Sequence, residues 1–193
     1  MLSIGSRERG FALQVARNAL LEFLARGAVS RYSTSSACLL QIRGAFVTLR
    51  TRDTGELRGC RGECRPIRPL IESVIRQTIS SAIDDSRFAS VTEEEVSNLT
   101  IRISALSPLK RIEPDEIVVG RHGLVIVRGN SSGLLLPEVP EMFGLRTAEE
   151  FLAALYRKAR LPRDPAPEFV DELYAFETEC WGEDDDEADG VGP

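Results

Sequence analysis

Hydrophobic residues recur with helical spacing near the start of the chain. One face carries an apolar residue at every fourth position: Phe11, Val15, Ala19 and Phe23. This spacing predicts an amphipathic helix over residues 7–26. Ser6 is a suitable N-cap for it, and Gly27 can adopt the positive φ that often ends a helix.

Two further helices are predicted. The second begins near Pro69, a residue type favoured at the first helical position, and ends before Asp84. Its expected buried face is formed by Ile71, Ile75, Ile79 and Ile83. The third helix starts after Thr147, which has capping-box spacing to Glu150, and the segment Pro162–Pro167 ends it.

Alternating apolar and polar residues predict strands in the middle of the chain. The clearest alternation is Leu99–Ala105, which is typical of a half-buried strand. Residues 45–50 and a segment that starts at Leu57 flank the turn cluster Asp53-Thr54-Gly55, so they predict a hairpin. The apolar run 134–136 is a further strand candidate.

Two segments are less regular. Residues 117–119 and 124–127 flank Gly120–Gly123, whose two glycines permit a tight turn, and this pattern predicts a second hairpin. Residues 168–176 are compatible with a helix, whereas residues 174–180 alternate as a strand does. We favour a short helix followed by a strand.

Strand clusters between separate helices, joined by turns short enough for hairpins, predict an α+β fold with a mainly antiparallel sheet and flanking helices. The length of 193 residues fits one domain or two closely packed subdomains.

No run approaches the ~20 consecutive apolar residues of a membrane span, and no apolar run marks a signal peptide. We therefore expect a soluble, cytoplasmic protein.

The net charge of −6 is concentrated at the C-terminus. Acidic residues without any accompanying base occupy Glu183, Asp184, Asp185, Asp186, Glu187 and Asp189. We expect residues 182–193 to form a disordered acidic tail. The rest of the chain carries no excess of basic residues, which argues against nucleic-acid binding by phosphate neutralisation. RNA recognition is a third hypothesis that only one Arg-rich loop supports.

The densest cluster of distinctive residues surrounds Cys60. Gly59 and Gly62 allow the backbone to turn tightly or to approach a ligand closely. Guanidinium groups suited to carboxylate or phosphate are supplied by Arg58, Arg61 and Arg65. Neighbouring arginines favour the nucleophilic thiolate, so Cys60 is the best candidate for chemistry. The alternative is a small buried hydrophobe in a bulged strand whose glycines serve close packing.

His122 is the only histidine of the chain and a candidate general base. It would activate Cys60 if the fold brings the two side chains within hydrogen-bond reach. The alternative is a polar turn residue with an unusual backbone angle. Asp85 and Arg87 either form an ion pair that stabilises a loop or line a pocket with Arg58.

The four cysteines are too few and too unevenly spaced for a disulfide scaffold, so we expect reduced thiols. Cys60 and Cys64 have a C-x-x-x-C spacing, but Ile67 stands where an iron–sulfur motif requires a further cysteine. The cysteines and the single histidine also lack the spacing of a zinc finger. We expect no metal site, and the residues identify no cofactor.

The segment Leu57–Gly62 resembles the Leu-Arg-Gly-Cys-Ile-Gly hexapeptide of the AMMECR domain family, whose prokaryotic members are called AmmeMemoRadiSam system protein A. Further segments match in the family's order: Gly44–Leu49, Asp85–Phe88, Leu106–Leu109, Gly120–Leu124, Gly133–Pro137 and Lys158–Pro162. The matches span residues 10–181. Arg61 stands where Ile is usual, which favours a more anionic ligand, and Arg160 stands where Gly is usual.

The resemblance implies an α+β domain over residues 1–181, with a larger and a smaller subdomain, and radical-SAM and Memo-like proteins as partners. Our main hypothesis is a binding protein that acts with such partners, or on a small anionic ligand, through Leu57–Gly62. The alternative is an enzyme that uses Cys60 as nucleophile or ligand, with His122 as base, on a small anionic substrate. The candidate ligand-binding residues are Arg58, Gly59, Arg61, Gly62, Asp85 and Arg87.

Overall fold

The structure of the protein is a computed structural model that describes residues 3–64, 66–163 and 171–185. The chain divides into two compact units. The first unit consists of residues 1–106 and 179–193, and the second unit consists of residues 107–178. The predicted α+β class with antiparallel strand pairing is confirmed.

The described residues contain four helices and eight strands. The helices are α1 (Ser6–Arg26), α2 (Leu70–Ile83), α3 (Val139–Phe143) and α4 (Ala148–Ala159). The strands are β1 (Ala45–Thr51), β2 (Leu57–Gly62), β3 (Leu99–Leu106), β4 (Lys110–Arg111), β5 (Gly123–Arg128), β6 (Ser131–Leu135), β7 (Glu172–Phe176) and β8 (Thr178–Gly182). None of these helices is long and apolar enough to cross a membrane.

The first unit is built on a four-stranded sheet in the order β2-β1-β3-β8. The predicted hairpin is confirmed, since β1 pairs antiparallel with β2 and also with β3. Alternate residues of β1, namely Ala45, Val47 and Leu49, are fully buried. The helices α1 and α2 contact this sheet and each other, and the buried residues of both join one hydrophobic core.

The second unit contains a four-stranded antiparallel sheet in the order β4-β7-β5-β6. The helix α4 lies against β5 and β6 and buries Phe151 and Leu155 with Leu124 and Ile126. A Cβ atom at Gly133 would lie 2.7 Å from the Cβ of Ala159, so the lack of a side chain at this position permits the close approach of α4.

The helix ends differ slightly from the predictions. Gly27 follows α1 with φ +68°, as expected, but Gly5 is the N-cap and Ser6 is already helical. Pro69 likewise precedes α2 as its N-cap instead of starting the helix. The predicted capping box of Thr147 and Glu150 is confirmed.

The predicted hairpin over residues 117–127 is wrong. Residues 114–116 form a 3-10 turn, whose capping box lies between Glu113 and Glu116, and residues 117–119 form no strand. β5 pairs instead with β6 and β7. The connection from β5 to β6 is the dipeptide Gly129-Asn130, with φ +55° at Gly129. Gly-Asn between two β-prone runs is itself a hairpin signal, and it is stronger than the longer Gly120–Gly123 segment.

The C-terminal part of the chain contains two short strands, β7 and β8, separated by Glu177. A helix that extends to Phe176 is therefore excluded, and residues 164–170 lie outside the described residues. Glu183 and Asp185, which we expected in the acidic tail, are held by the first unit. Arg17 Nε donates to Glu183 Oε1 at 2.6 Å, and Arg102 Nη1 donates to Asp185 Oδ1 at 2.9 Å. Residues 186–193 lie outside the described residues.

Arg160 at the end of α4 has φ +55°, and no other described non-glycine residue has a positive φ. This conformation costs an L residue about 1 kcal/mol, whereas glycine adopts it freely. We therefore expect Arg160→Gly to raise the free energy of unfolding by about 1 kcal/mol. The exposed Arg157 in the last turn of α4 is the matched control, because Arg157→Gly should lower it by about 1 kcal/mol. Urea denaturation would measure both, and a destabilised Arg160→Gly variant would contradict the expectation.

Candidate functional site

The hexapeptide Leu57–Gly62 forms β2, an edge strand of the first sheet. The helix α2 contacts both β2 and its neighbour β1. A Cβ atom at Gly59 would lie 2.1 Å from the backbone oxygen of Ser81 on α2. No side chain fits in this gap, so Gly59 permits the helix to approach the strand.

Gly62 has a comparable packing role on the same strand. A Cβ atom there would lie 2.2 Å from ring carbons of Phe46, which is its cross-strand partner on β1. The aromatic ring covers the backbone of the edge strand at this position. A ligand contact of Gly59 or Gly62 stays a prediction.

The backbone N–H groups of Cys60 and Arg61 are bound by side chains from α2 and the residues after it. Ser81 Oγ accepts from Arg61 N at 2.8 Å and donates to Val47 O at 2.7 Å, so it joins two cross-strand partners. Asp85 Oδ2 accepts from Cys60 N at 2.9 Å. Asp85 thus satisfies a donor that an edge strand would otherwise present to another strand, whereas Ser81 bridges a donor and an acceptor within the β1–β2 pair.

Asp85 is buried and forms an ion pair with Arg87. The Arg87 side chain donates to it through Nη2 at 2.6 Å and Nε at 2.9 Å. These bonds, and then the N–H of Cys60, hold the pKa of Asp85 well below its ordinary value. Asp85 is thus ionised at neutral pH and a poor proton acceptor. The pKa of Arg87 is raised, first by Asp85 and to a smaller extent by the nearby Cys60 thiol.

Arg58 is engaged within the fold. Its Nε and Nη2 donate to the Glu95 carboxylate at 3.0 and 3.1 Å, and its Nη1 donates to Ala89 O at 2.8 Å. The ion pair also lowers the pKa of Glu95. Arg58 therefore fastens β2 to the segment before β3, and its role in ligand binding stays a prediction.

Cys60 is half-buried, and its Sγ accepts from Thr48 Oγ1 at 3.3 Å. Thr48 is the cross-strand partner of Cys60 on β1. Arg61 is exposed, and its guanidinium makes no hydrogen bond to another described residue. The Arg87 side chain is 56% exposed. Cys60 and Arg61 are successive residues of β2, so their side chains lie on opposite faces of the sheet at its edge. We call this part of the edge, with Cys60, Arg61 and Arg87, the Cys60 surface.

His122 lies in the second unit, in the turn before β5. Its Nδ1 accepts from Val118 N at 3.2 Å. We had considered an unusual backbone angle at His122, but its φ is not positive; among the described non-glycine residues only Arg160 has a positive φ. Cys60 belongs to the first unit, so an activating contact between Cys60 and His122 stays a prediction.

All four cysteines lie among the described residues, and no disulfide bond joins them. In the same part of the chain, no group of three or more His, Cys, Asp or Glu side chains is arranged to hold a metal ion. Arg65, which we predicted as a third guanidinium near Cys60, lies outside the described residues.

Three residues of this site were not predicted from the sequence: Ser81, Thr48 and Glu95. The first carried a detectable signal, because Ser73, Gln77 and Ser81 recur every four residues on α2 and all three are buried. A polar stripe on a buried helix face indicates that it meets hydrogen-bonding groups. Thr48 and Glu95 have no comparable signal.

Comparison with known proteins gives consistent matches over nearly the whole chain. A sequence model of the AMMECR1 family matches residues 13–181. Protein MK0488 of Methanopyrus kandleri is 37% identical over 188 residues, which cover 93% of this chain and 90% of that protein. Protein PH0010 of Pyrococcus horikoshii is 39% identical over 184 residues, which cover 90% of this chain and 89% of that protein.

The crystal structure of uncharacterized protein PH0010 from Pyrococcus horikoshii has a similar fold. It matches with a TM-score of 0.77 at 38% identity and covers 90% of each chain. The resemblance inferred from the hexapeptide and the further motifs is thereby confirmed.

Gly59→Ala should lower the free energy of unfolding by about 3 kcal/mol, because the new methyl group would overlap the backbone of α2. Gly10→Ala is the control, since a Cβ atom at that position in α1 meets nothing within 4 Å. This control should stabilise the protein by about 0.5–1 kcal/mol. Equal stabilities of both variants in urea denaturation would show that α2 does not approach β2 this closely.

The lowered pKa of Asp85 predicts a specific loss of stability in acid. A carboxyl group whose pKa is depressed by folding stabilises the protein above its unfolded value, near 3.8, and loses this contribution as the pH falls. Asp85→Asn should therefore flatten the decline of the unfolding free energy between about pH 5 and about pH 3. Asp84→Asn, at the neighbouring exposed carboxylate, should leave the decline nearly unchanged. Parallel pH profiles of wild type and Asp85→Asn would contradict the assignment.

Proposed function

The chain belongs to the AMMECR1 family, and from this premise we propose that it is a binding protein whose Leu57–Gly62 segment presents the Cys60 surface to an anionic group. The anion belongs to a small ligand or to a partner protein. Radical-SAM and Memo-like proteins are the partner classes that the family resemblance suggests.

This proposal rests on one observation: some hydrogen-bonding groups at β2 are bound within the first unit, and others are exposed. Arg58 and the N–H groups of Cys60 and Arg61 are bound inside the first unit. The guanidinium groups of Arg61 and Arg87 are exposed. Guanidinium groups match carboxylate and phosphate in geometry and charge. β2 therefore carries one exposed guanidinium that makes no hydrogen bond to another described residue, that of Arg61, and the ion pair of the exposed Arg87 with Asp85 is joined to the same strand at Cys60 N.

The contacts of Cys60 support binding better than nucleophilic catalysis. A nucleophilic thiol requires a base within hydrogen-bond reach. The hydrogen-bond partner of Cys60 Sγ is the hydroxyl of Thr48, which is not a base. Asp85 accepts the backbone N–H of Cys60 and has a lowered pKa, so it is poorly suited to remove a proton.

The partner proposal predicts that a charge reversal at Arg61 weakens binding. Radical-SAM and Memo-like proteins from the same organism would be purified and titrated with the full chain by isothermal titration calorimetry. Arg61→Glu should weaken the complex about tenfold or more, because it places a like charge opposite the partner's anionic group. Arg76→Glu, on the exposed side of α2, is the matched control and should bind as wild type does.

Cys60→Ser separates binding from covalent chemistry. It should bind within about twofold of wild type, because the guanidinium groups hold the anion.

Equal weakening by Arg61→Glu and Arg76→Glu would overturn the assignment of the surface. The absence of binding to either purified protein, and to inorganic phosphate as a simple anion, would overturn the proposed function.

A further inference from the structure

The second unit contains a cavity of about 190 Å³ that the proposed function does not use. Three stretches of chain meet around it: residues 107–116, the turn that holds His122, and the end of β7. Two of these stretches contain the motifs Leu106–Leu109 and Gly120–Leu124. The cavity therefore gives these motifs a common location.

The sequence builds an apolar wall for this cavity. Ile112 and Phe176 line it and are otherwise almost fully buried. A Cβ atom at Gly123 would lie 2.3 Å from Phe176 Cζ, and Gly123 is the cross-strand partner of Phe176. The ring thus occupies the space that a side chain at position 123 would take. An apolar part of a ligand would contact Ile112 and Phe176.

His122 and Lys110 supply hydrogen-bond donors beside this wall. Because His122 Nδ1 accepts the Val118 N–H, the neutral ring carries its proton on Nε2 and can donate it to a ligand. Lys110 Nζ lies 3.8 Å from Glu116 Oε1, and its side chain is 77% exposed. Such a surface pair contributes little stability, so the ammonium group can bind another anion at small cost.

The acidic residues limit the charge of that anion. Glu116 and Glu177 also line the cavity, and each already has a cationic neighbour: Lys110 for Glu116, and Arg121 for Glu177 at 2.8 Å. Two carboxylates would repel a dianion more strongly than a monoanion. The volume of about 190 Å³ suits a small ligand.

We propose that this cavity binds a short-chain monocarboxylic acid, with the carboxylate on Lys110 and His122 and the alkyl chain against Ile112 and Phe176. Each of the two donors can bind a carboxylate oxygen, and the apolar wall suits the alkyl chain. All residues that line the site belong to the second unit, and its test does not depend on the proposed function.

The single histidine of the chain provides a site-specific signal. The full-length protein would be titrated with butyrate while the imidazole proton resonances of His122 are followed by NMR. We expect saturable shifts of these resonances. Butylamine, which has the same alkyl chain and the opposite charge, should cause no saturable shift. Absent or linear shifts with butyrate would overturn the proposal.

Lys110 and Lys158 are the only lysines, which gives a matched pair of variants. Lys110→Gln should weaken butyrate binding about tenfold, because a charged hydrogen bond to the carboxylate is lost. Lys158→Gln, on the exposed face of α4, should bind as wild type does. Equal affinities of the two variants would overturn the role of Lys110. Tighter binding of inorganic phosphate than of butyrate, followed by the same His122 resonances, would overturn the monocarboxylate assignment.

Discussion

The close approach of α2 to the edge strand β2 determines the geometry of the first unit around Cys60. It requires Gly59, because any side chain there would meet the backbone of Ser81. Only at this separation can Ser81 join Arg61 to Val47, and only then does Asp85 reach the N–H of Cys60. Each buried polar group left without these partners would cost about 1–3 kcal/mol. Helix packing and edge-strand hydrogen bonding therefore depend on one glycine.

Arginine side chains make many of the hydrogen bonds inside this fold, although arginine lies at the surface in most proteins. Several of them donate at once to a carboxylate and to a backbone carbonyl: Arg17, Arg43, Arg58 and Arg128. Arg43 is 1% exposed and joins Leu106 O to the carboxylate of Glu179. A planar group with five donors can serve two acceptors in fixed directions, whereas an ammonium group has no such geometry. The exposed Arg61 differs from these four because its guanidinium makes no hydrogen bond to another described residue.

The sequence predicted the elements whose signals are local. The helices α1 and α4, the β1–β2 hairpin and β3 follow from periodicity, capping residues and turn residues, and the Asp85–Arg87 pair lies within one loop. The buried face of α2 was predicted from its isoleucines, but the more deeply buried side carries Gln77 and Ser81. Ser81 bonds the Arg61 N–H of β2 from that side, and this contact depends on tertiary structure. Contacts such as Arg58 with Glu95 join residues far apart in sequence, so no local pattern could reveal them.

The order of the strands has a consequence for synthesis of the protein. The first unit combines residues 1–106 with residues 179–193, and β8 forms the edge of its sheet beside β3. The second unit is one continuous stretch, so its sequence is complete before β8 leaves the ribosome. Until then β3 has an unpaired edge, and the core lacks the buried Trp181. Unpaired strand edges and exposed apolar surface promote aggregation. The last strand to be synthesised thus completes the core to which the first helix contributes.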